Sequence, residues 1–491
     1  MLFTSVTFAI FFPLIFFFYW FIAGRNRIMQ NLFLLLASYV FYGWWNWKFL
    51  LLLFSLSVVN YTLALTIQGC NHRSSKKFWF LSGLIINTGV LVYFKYINFF
   101  IDSIADVLSL MGVKIHLPAA SIMLPLGLSF YIFLSISYII DVYREKMKAD
   151  KNFIEVLLSF SFFPIILAGP IQRPFSLLPQ IHNLRQFDYT LAVEGLRRIL
   201  LGLFMKIVIA DQCAVFVNEI FKNPGAQTPS TLLFGGIYYA IQIYADFAGY
   251  SEIAIGVAAL LGFKLMRNFA YPYFAKDIAD FWKRWHISLT GWFRDYIFLP
   301  VAYATSGRFV KDKVGFIKTD LVIYVIAITV TWLLTGLWHG GNMTFIAWGL
   351  IHGAALILHQ TLKNPKKKLF KRWNLKYNNF FIVSFNRVFT LCIVFIAWIF
   401  FRAESIDQAI SYLKGICHPA VFSFPQVVTP ESVIIIIVFF LTEWFQRNKA
   451  YTLQPGERRI PFWVRWVAYY VIFISLFVFS HKEQVFIYLQ F

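Results

Sequence analysis

LVIYVIAITVTWLLTGLWHGGNMTFIAWGLIHGAALILHQTL, residues 321–362, runs for two helix lengths without an Asp, Glu, Lys or Arg. A membrane-spanning helix needs about 20 mostly apolar residues. The stretch therefore predicts two spans, 321–338 and 344–361, that meet at Gly340-Gly341-Asn342. The rest of the chain repeats the pattern. Of its 491 residues, 59% are hydrophobic and only 14% are charged, where a soluble protein carries about 25% charged residues. That deficit is too large for a soluble chain of this length to keep its surface wet. The 58 Phe residues suit lipid-facing and interfacial surface.

Other apolar runs lie near 2–24, 30–43, 49–69, 78–94, 119–140, 199–218, 231–256, 380–401, 431–446 and 466–480. With the first two spans they predict an all-α polytopic protein of about twelve transmembrane helices. Residues 1–24 carry no Lys or Arg ahead of the apolar core and no small-residue cleavage site after it, so they are expected to be a retained span rather than a signal peptide. The run 153–170 is interrupted by Pro164 and ends in Ala168-Gly169-Pro170. It is short and broken, so a re-entrant half-span is expected there. No internal repeat and no separate soluble domain is visible, and the whole of 1–491 is expected to form a single membrane-embedded domain.

The formal net charge is +21. Most of the basic residues fall in short connections between apolar runs, where the positive-inside bias places them. The charge therefore reports topology and anionic membrane lipid rather than nucleic acid. Arg25 and Arg27, then Arg73 to Lys77, Arg144 to Lys151, Lys264 to Lys318, Lys363 to Lys376 and Arg447 to Arg465 fall on one side if there are twelve crossings. That side is the cytoplasm, and both termini are then outside. Counting 153–170 as a full span would break the alternation. Cys70, Cys213, Cys392 and Cys417 are scattered, with no Cys/His spacing that holds zinc, so no metal site is expected.

The cytoplasmic connection at about 264–318 has a pattern of its own. Trp282, Trp285, Leu289, Trp292 and Tyr296 recur at three- and four-residue steps, the period of one helix face. A helix lying in the membrane interface is expected. Two readings are open: a passive surface helix, or a basic wall of Lys276, Lys283, Arg284 and Arg294 around His286 that suits a phosphorylated carrier such as coenzyme A.

His339 lies inside the uncharged stretch, between Gly336 and Gly340-Gly341, where helix is locally weak. A lysine at this depth would need about 4.6 kcal/mol to lose its proton at pH 7. A histidine is already mostly neutral there and can still accept a proton. That is what a general base in a membrane requires. Hydrogen bonding to a neighbouring helix is the structural alternative, and for His352 and His359 it is the expected role. Asp246 and Glu252 are two acids in a glycine-interrupted apolar run. Intramembrane acids mark a cavity, a pathway or a buried pair, with a cation such as Arg267 or a histidine as partner.

The run Asp280-Phe281-Trp282-Lys283-Arg284-Trp285-His286-Ile287-Ser288-Leu289 and the run Gly336-Leu337-Trp338-His339-Gly340 together resemble the membrane-bound O-acyltransferase family. Supporting motifs are Pro125-Leu126-Gly127-Leu128-Ser129-Phe130-Tyr131, Ala168-Gly169-Pro170-Ile171, Tyr244-Ala245-Asp246-Phe247-Ala248-Gly249-Tyr250-Ser251 and Phe486-Ile487-Tyr488-Leu489-Gln490-Phe491. Within the family the chain is most similar to the alginate O-acetylation branch, and the teichoic acid D-alanyl transfer proteins are close relatives. One stretch departs from that branch: after Tyr296-Ile297-Phe298-Leu299-Pro300, where Leu-Gly-Gly-Asn is common, this chain has Val301-Ala302-Tyr303-Ala304-Thr305.

The resemblance implies a ring of helices around a central funnel, with His339 at the constriction. It implies a cytosolic acyl thioester, acetyl-coenzyme A, as the donor substrate, with no bound cofactor. The expected partners are a periplasmic or extracellular acetyltransferase and polysaccharide synthesis machinery. The expected mechanism has His339 and His286 as catalytic residues: His339 activates the acceptor hydroxyl or carries the acyl group, and His286 approaches from the cytoplasmic side. Lys283, Arg284, Trp285, Arg294, Asn342 and Asp246 are the expected donor- or substrate-binding residues. A lipid-linked sugar transporter, or a non-catalytic scaffold of a polysaccharide synthase, is the alternative from another class.

Overall fold

The computed structural model describes residues 1–112, 122–309, 311–374, 379–425, 429–455, 461–480, 484, 486 and 487. Residues 119–121 of one expected span and Tyr488 to Phe491 of the last family motif lie outside them. The protein is all-α. Among the described residues the strands are a single two-residue pair, Lys313–Val314 with Ile317–Lys318.

Most of the described part of each of the twelve apolar runs falls in helix, with residues 2–5 and 122–127 among those left outside. Among the described residues, eight of the helices are long and apolar enough to cross a membrane, by length and composition. The other four, Val6–Phe21, Arg27–Gly43, Leu128–Tyr143 and Pro430–Gln446, have 16 or 17 residues. At 1.5 Å per residue they reach about 25 Å, short of a hydrocarbon core of about 30 Å. The sequence pattern thus locates the helices, and their ends fall where side chains cap them. Ser5, Asn26 and Asn46 each accept a hydrogen bond from a backbone N–H of the first turn that follows, the usual N-cap at a helix start.

The chain divides into two compact units, 1–202 with 250–266, and 203–249 with 267–491. In the first, Trp47–Gly69 and Arg73–Leu110 are joined by Asn60 and Asn87, whose amides exchange hydrogen bonds of 3.1 and 2.7 Å. Paired amides hold helices together where no hydrophobic force between helices exists. The 153–170 run is broken as expected. Phe153–Ser161 ends at Phe162, and a four-residue helix, Phe163–Ile166, follows. The Phe163 N–H donates to Ser38 Oγ at 3.1 Å, so this irregular backbone is satisfied by protein rather than water. Gly127 (φ 70°) sits against the same segment: a Cβ there would lie 2.1 Å from the Ile166 carbonyl oxygen.

In the second unit the uncharged stretch forms a helical hairpin, Thr319–His339 and Met343–Arg372. Two glycines let the backbones approach. A Cβ on Gly336 would lie 2.4 Å from the Phe345 oxygen, and one on Gly349 would lie 2.3 Å from the Trp332 oxygen. Asn342 caps the second helix: its Oδ1 accepts from the Thr344 N–H at 3.0 Å.

Candidate functional site

His339 is the last residue of its helix and is 4% exposed. Three rings fix it edge-on: Trp338 at 4.7 Å, Trp348 at 4.8 Å and Phe401 at 4.9 Å between centroids. The hairpin turn closes tightly beside the cage: a Cβ on Gly340 would lie 2.5 Å from the Phe345 ring. The imidazole therefore sits among aromatic edges, in a setting of low dielectric.

The 264–318 segment departs from its expected form. Instead of one interfacial helix it forms Ile278–Arg284 and Ile287–Phe293, then a wider turn at Arg294–Phe298 and Leu299–Ser306. Trp282, Trp285, Leu289, Trp292 and Tyr296 do share a burial pattern, but they are buried in protein rather than lying at headgroup depth. The break is at His286, a non-glycine residue at φ 40°. Left-handed backbone costs such a residue about 1–2 kcal/mol. Asn268 over-determines the turn: the Ile287 N–H donates to its carbonyl at 2.8 Å, and Ser288 Oγ donates to its Oδ1 at 2.9 Å.

The same Asn268 sets the chemistry of His286. The Ser288 N–H, a definite donor, points at Asn268 Oδ1 at 3.3 Å, so that atom is the amide oxygen. His286 Nδ1 lies 3.0 Å from it and must carry a proton to donate. Nε2 is then the acceptor nitrogen of a neutral ring. His286 is fully buried, and burial holds its pKa well below the usual histidine range. It is a neutral base rather than an imidazolium.

His286 packs 6.2 Å from Trp338, the residue next to His339. Phe247 closes on it at 4.5 Å. The two histidines flank a single indole.

Of the remaining expected site residues, Lys283 is exposed and Arg284 is half-buried. Arg284 Nε pairs with Asp280 at 2.9 Å, and its Nη1 donates to the Ala270 carbonyl. Trp285 is buried between Phe269, Phe281 and Trp398, which makes it core rather than a donor contact. Arg294 is spent on its neighbour Asp295, at 2.8 Å. Besides its capping bond, Asn342 donates to the Glu404 carbonyl at 3.0 Å, so its amide secures the turn instead of reaching the imidazole of His339.

Asp246 has a cation as partner, as expected, but it is Lys206 rather than Arg267. Its carboxylate takes Lys206 Nζ at 2.9 Å and the Ile487 N–H at 2.7 Å. Lys206 also pairs with Asp211 at 2.7 Å and donates to the Gln484 carbonyl at 3.0 Å. Arg267 instead lies over the Tyr271 ring at 4.9 Å and donates to the Lys449 carbonyl. Glu252 pairs with Arg198 at 2.6 Å in the other unit. In that unit Asp150, Glu155 and His182 bring ligand-type atoms within 4.8 Å of one another. Neither their spacing nor a Cys/His motif announces this cluster in the sequence, and His182 Nε2 lies 2.5 Å from an Asp150 carboxylate oxygen and 3.2 Å from a Glu155 one.

A profile of the membrane-bound O-acyltransferase family matches residues 142–403, which include the His286 turn and the His339 cage. The chain belongs to this family. It is an acyltransferase and a membrane protein. It is 36% identical to a probable alginate O-acetylase of Pseudomonas syringae pv. tomato, with 86% of this chain and 76% of that one covered. It is 29% identical to a peptidoglycan O-acetyltransferase of Helicobacter pylori, over 95% of this chain and 93% of the relative. A teichoic acid D-alanyltransferase of Bacillus subtilis is 30% identical over 53% of this chain and 63% of its own.

Sequence reasoning missed Asn268, Trp338, Trp348 and Phe401 as parts of the site. Trp338 stood inside the quoted motif, but nothing marked it as the ring shared by two histidines. Asn268 lies 18 positions from His286, and no local spacing reveals such a pair.

Proposed function

We propose that this membrane-bound O-acyltransferase moves an acetyl group from a cytosolic coenzyme A thioester to hydroxyls of a periplasmic or extracellular polysaccharide, such as alginate. The observation that carries the reading is the pairing of a neutral, buried His286 with a caged His339 across Trp338. A proton acceptor in an apolar cage suits a hydroxyl acceptor, which must lose a proton as its oxygen attacks the thioester. The names of the relatives support an ester-forming reaction on an envelope polymer.

On the donor side, Lys283 is the exposed cation next to the buried face of the 278–284 helix, and Arg284 lies beside it. They receive the phosphates of the carrier. The proposed setting is the bacterial inner membrane, with both termini outside and with a periplasmic acetyltransferase and the polysaccharide machinery as partners. The 30% match to a D-alanyltransferase keeps D-alanyl transfer to teichoic acid as the second reading.

The test is label transfer from acetyl-coenzyme A into envelope polymer by membranes carrying the wild type or His339→Ala at equal expression. Loss of label with His339→Ala is expected, and normal labelling would overturn the site. Mass spectrometry of the product polymer separates acetyl from D-alanyl ester and names the acceptor. Lys283→Ala and Arg284→Ala are expected to weaken coenzyme A binding, and unchanged affinity would sink the basic wall.

A further inference from the structure

Two buried N–H groups stand next to the His339 cage without an acceptor. Trp348 is 1% exposed and meets the His339 ring edge-on, at 82°. His352 is fully buried and packs 5.0 Å from Trp348. Its tautomer follows from a neighbour. Trp282 Nε1–H donates to His352 Nδ1 at 3.3 Å. An indole nitrogen is only ever a donor, so Nδ1 holds the lone pair and the neutral ring carries its proton on Nε2. Among the described residues, neither His352 Nε2 nor Trp348 Nε1 has a hydrogen-bond partner.

A buried donor left unmade costs about 1–3 kcal/mol. Inside a bilayer no bulk water compensates it. Groups of this kind are retained where a function uses them. Both groups are donors, so what they receive is an acceptor atom. Both are neutral, and around them are the rings of Trp282, at 4.8 Å from His352, and Trp332, at 5.4 Å. Such a setting suits an oxygen that gains negative charge during reaction more than a permanent anion, whose burial it does not neutralise.

We propose that Trp348 Nε1–H and His352 Nε2–H form the oxyanion site for the carbonyl oxygen of the acyl group. This rests on the reading of His339 as the proton acceptor. In the step, the acceptor hydroxyl gives its proton to His339 and its oxygen bonds to the thioester carbonyl carbon. The carbonyl π electrons move onto oxygen, where the two N–H groups hold them. The C=O bond reforms, the C–S bond breaks, and sulfur leaves as a thiol with the proton from His339. Trp282 is a positioning residue, because its N–H selects the tautomer that makes His352 a donor.

The experiment measures acetyl transfer from acetyl-coenzyme A into envelope polymer in membranes carrying Trp348→Phe, His352→Phe, His352→Gln or His339→Ala. Trp348→Phe keeps an aromatic ring against His339 while removing the donor together with the pyrrole part of the buried indole. The expected result is a kcat about 100-fold lower for Trp348→Phe and for His352→Phe, with KM for acetyl-coenzyme A within about threefold, since ground-state binding is untouched. His352→Gln restores an N–H and is expected to recover activity over His352→Phe. If His352→Phe does not accumulate, Trp348→Phe alone decides. Wild-type kcat in a folded Trp348→Phe protein, alongside an inactive His339→Ala, overturns the oxyanion site and leaves the histidine reading standing. An active His339→Ala overturns that reading instead.

Discussion

The imidazole of His286 packs 6.2 Å from the indole of Trp338, the residue that precedes His339. One ring thus couples the turn that follows the basic 278–284 helix to the end of the uncharged span. His286 presents its acceptor nitrogen only because Asn268 takes the proton-bearing one. Asn268→Ala frees the ring to populate both tautomers and releases Ser288 as well. Transfer activity is expected to fall about 10- to 100-fold, a share of the 10²–10⁴ that positioned acid–base groups contribute. Asn268→Asp, which keeps an acceptor for Nδ1–H, is expected to lose less. Equal activity in both variants and the wild type would show that the tautomer does not matter.

Stability is expected to fall on the acid side through His286. Its folded pKa is well below the ordinary histidine value because burial disfavours the cation. The unfolded chain binds a proton near pH 6.5, and the folded one does not until much lower. Between those two values the unfolded state holds the extra proton. The contribution is therefore complete above about pH 6.5 and shrinks as pH falls through the window. Thermal unfolding in detergent from pH 7.5 down to pH 5 is expected to show a steeper loss for the wild type than for His286→Gln. Parallel pH profiles for the two proteins would remove His286 from the account.

Much of the fold was legible because a bilayer allows few solutions. Runs of about 20 apolar residues can only be helices, and the break in the 153–170 run, which falls at Phe162, was readable from Pro164 and Gly169 nearby. The 264–318 segment was misread for a related reason. Trp282, Trp285, Leu289 and Trp292 do follow a helical period, but period alone does not separate a face buried in protein from one buried in lipid headgroups. A left-handed residue at position 286 is also invisible to it. His339 was legible from its setting in an uncharged run. Its cage was not, since Trp348 and Phe401 reach it from other helices, and neither was the choice of Lys206 over Arg267 as partner of Asp246.

The hairpin that carries His339 is expected to be intolerant of a single methyl group. In Gly349→Ala the new Cβ would lie 2.3 Å from the Trp332 carbonyl oxygen, a backbone atom that cannot swing away. Relief requires the helices to part, at a cost of about 1–3 kcal/mol, and parting them moves Trp348 off His339. Both melting temperature and transfer activity are expected to drop. By contrast, Gly89→Ala, where a Cβ meets nothing within 4 Å, is expected to leave both unchanged. A Gly349→Ala protein with wild-type activity would show that the hairpin spacing is not what sets the cage.

Lys206 is expected to be the most costly single charge to remove from the second unit. Its ammonium has three protons, and Asp211, Asp246 and the Gln484 carbonyl take one each, at 2.7, 2.9 and 3.0 Å. Lys206→Met leaves two buried carboxylates facing each other and a carbonyl without its donor. Breaking a buried pair from one side costs about 3–5 kcal/mol, so this variant is expected to accumulate poorly and to elute as aggregate. The triple variant Lys206→Met, Asp211→Asn, Asp246→Asn removes the unbalanced charge, and an amide oxygen at 246 still accepts the Ile487 N–H. It is expected to recover a monodisperse protein. The comparison isolates charge from shape, because the triple variant carries the same Lys206→Met change as the single one. A single variant as stable as the triple would mean that the two acids are not held ionised by Lys206, and the cluster would have to be described as a hydrogen-bond network of neutral groups.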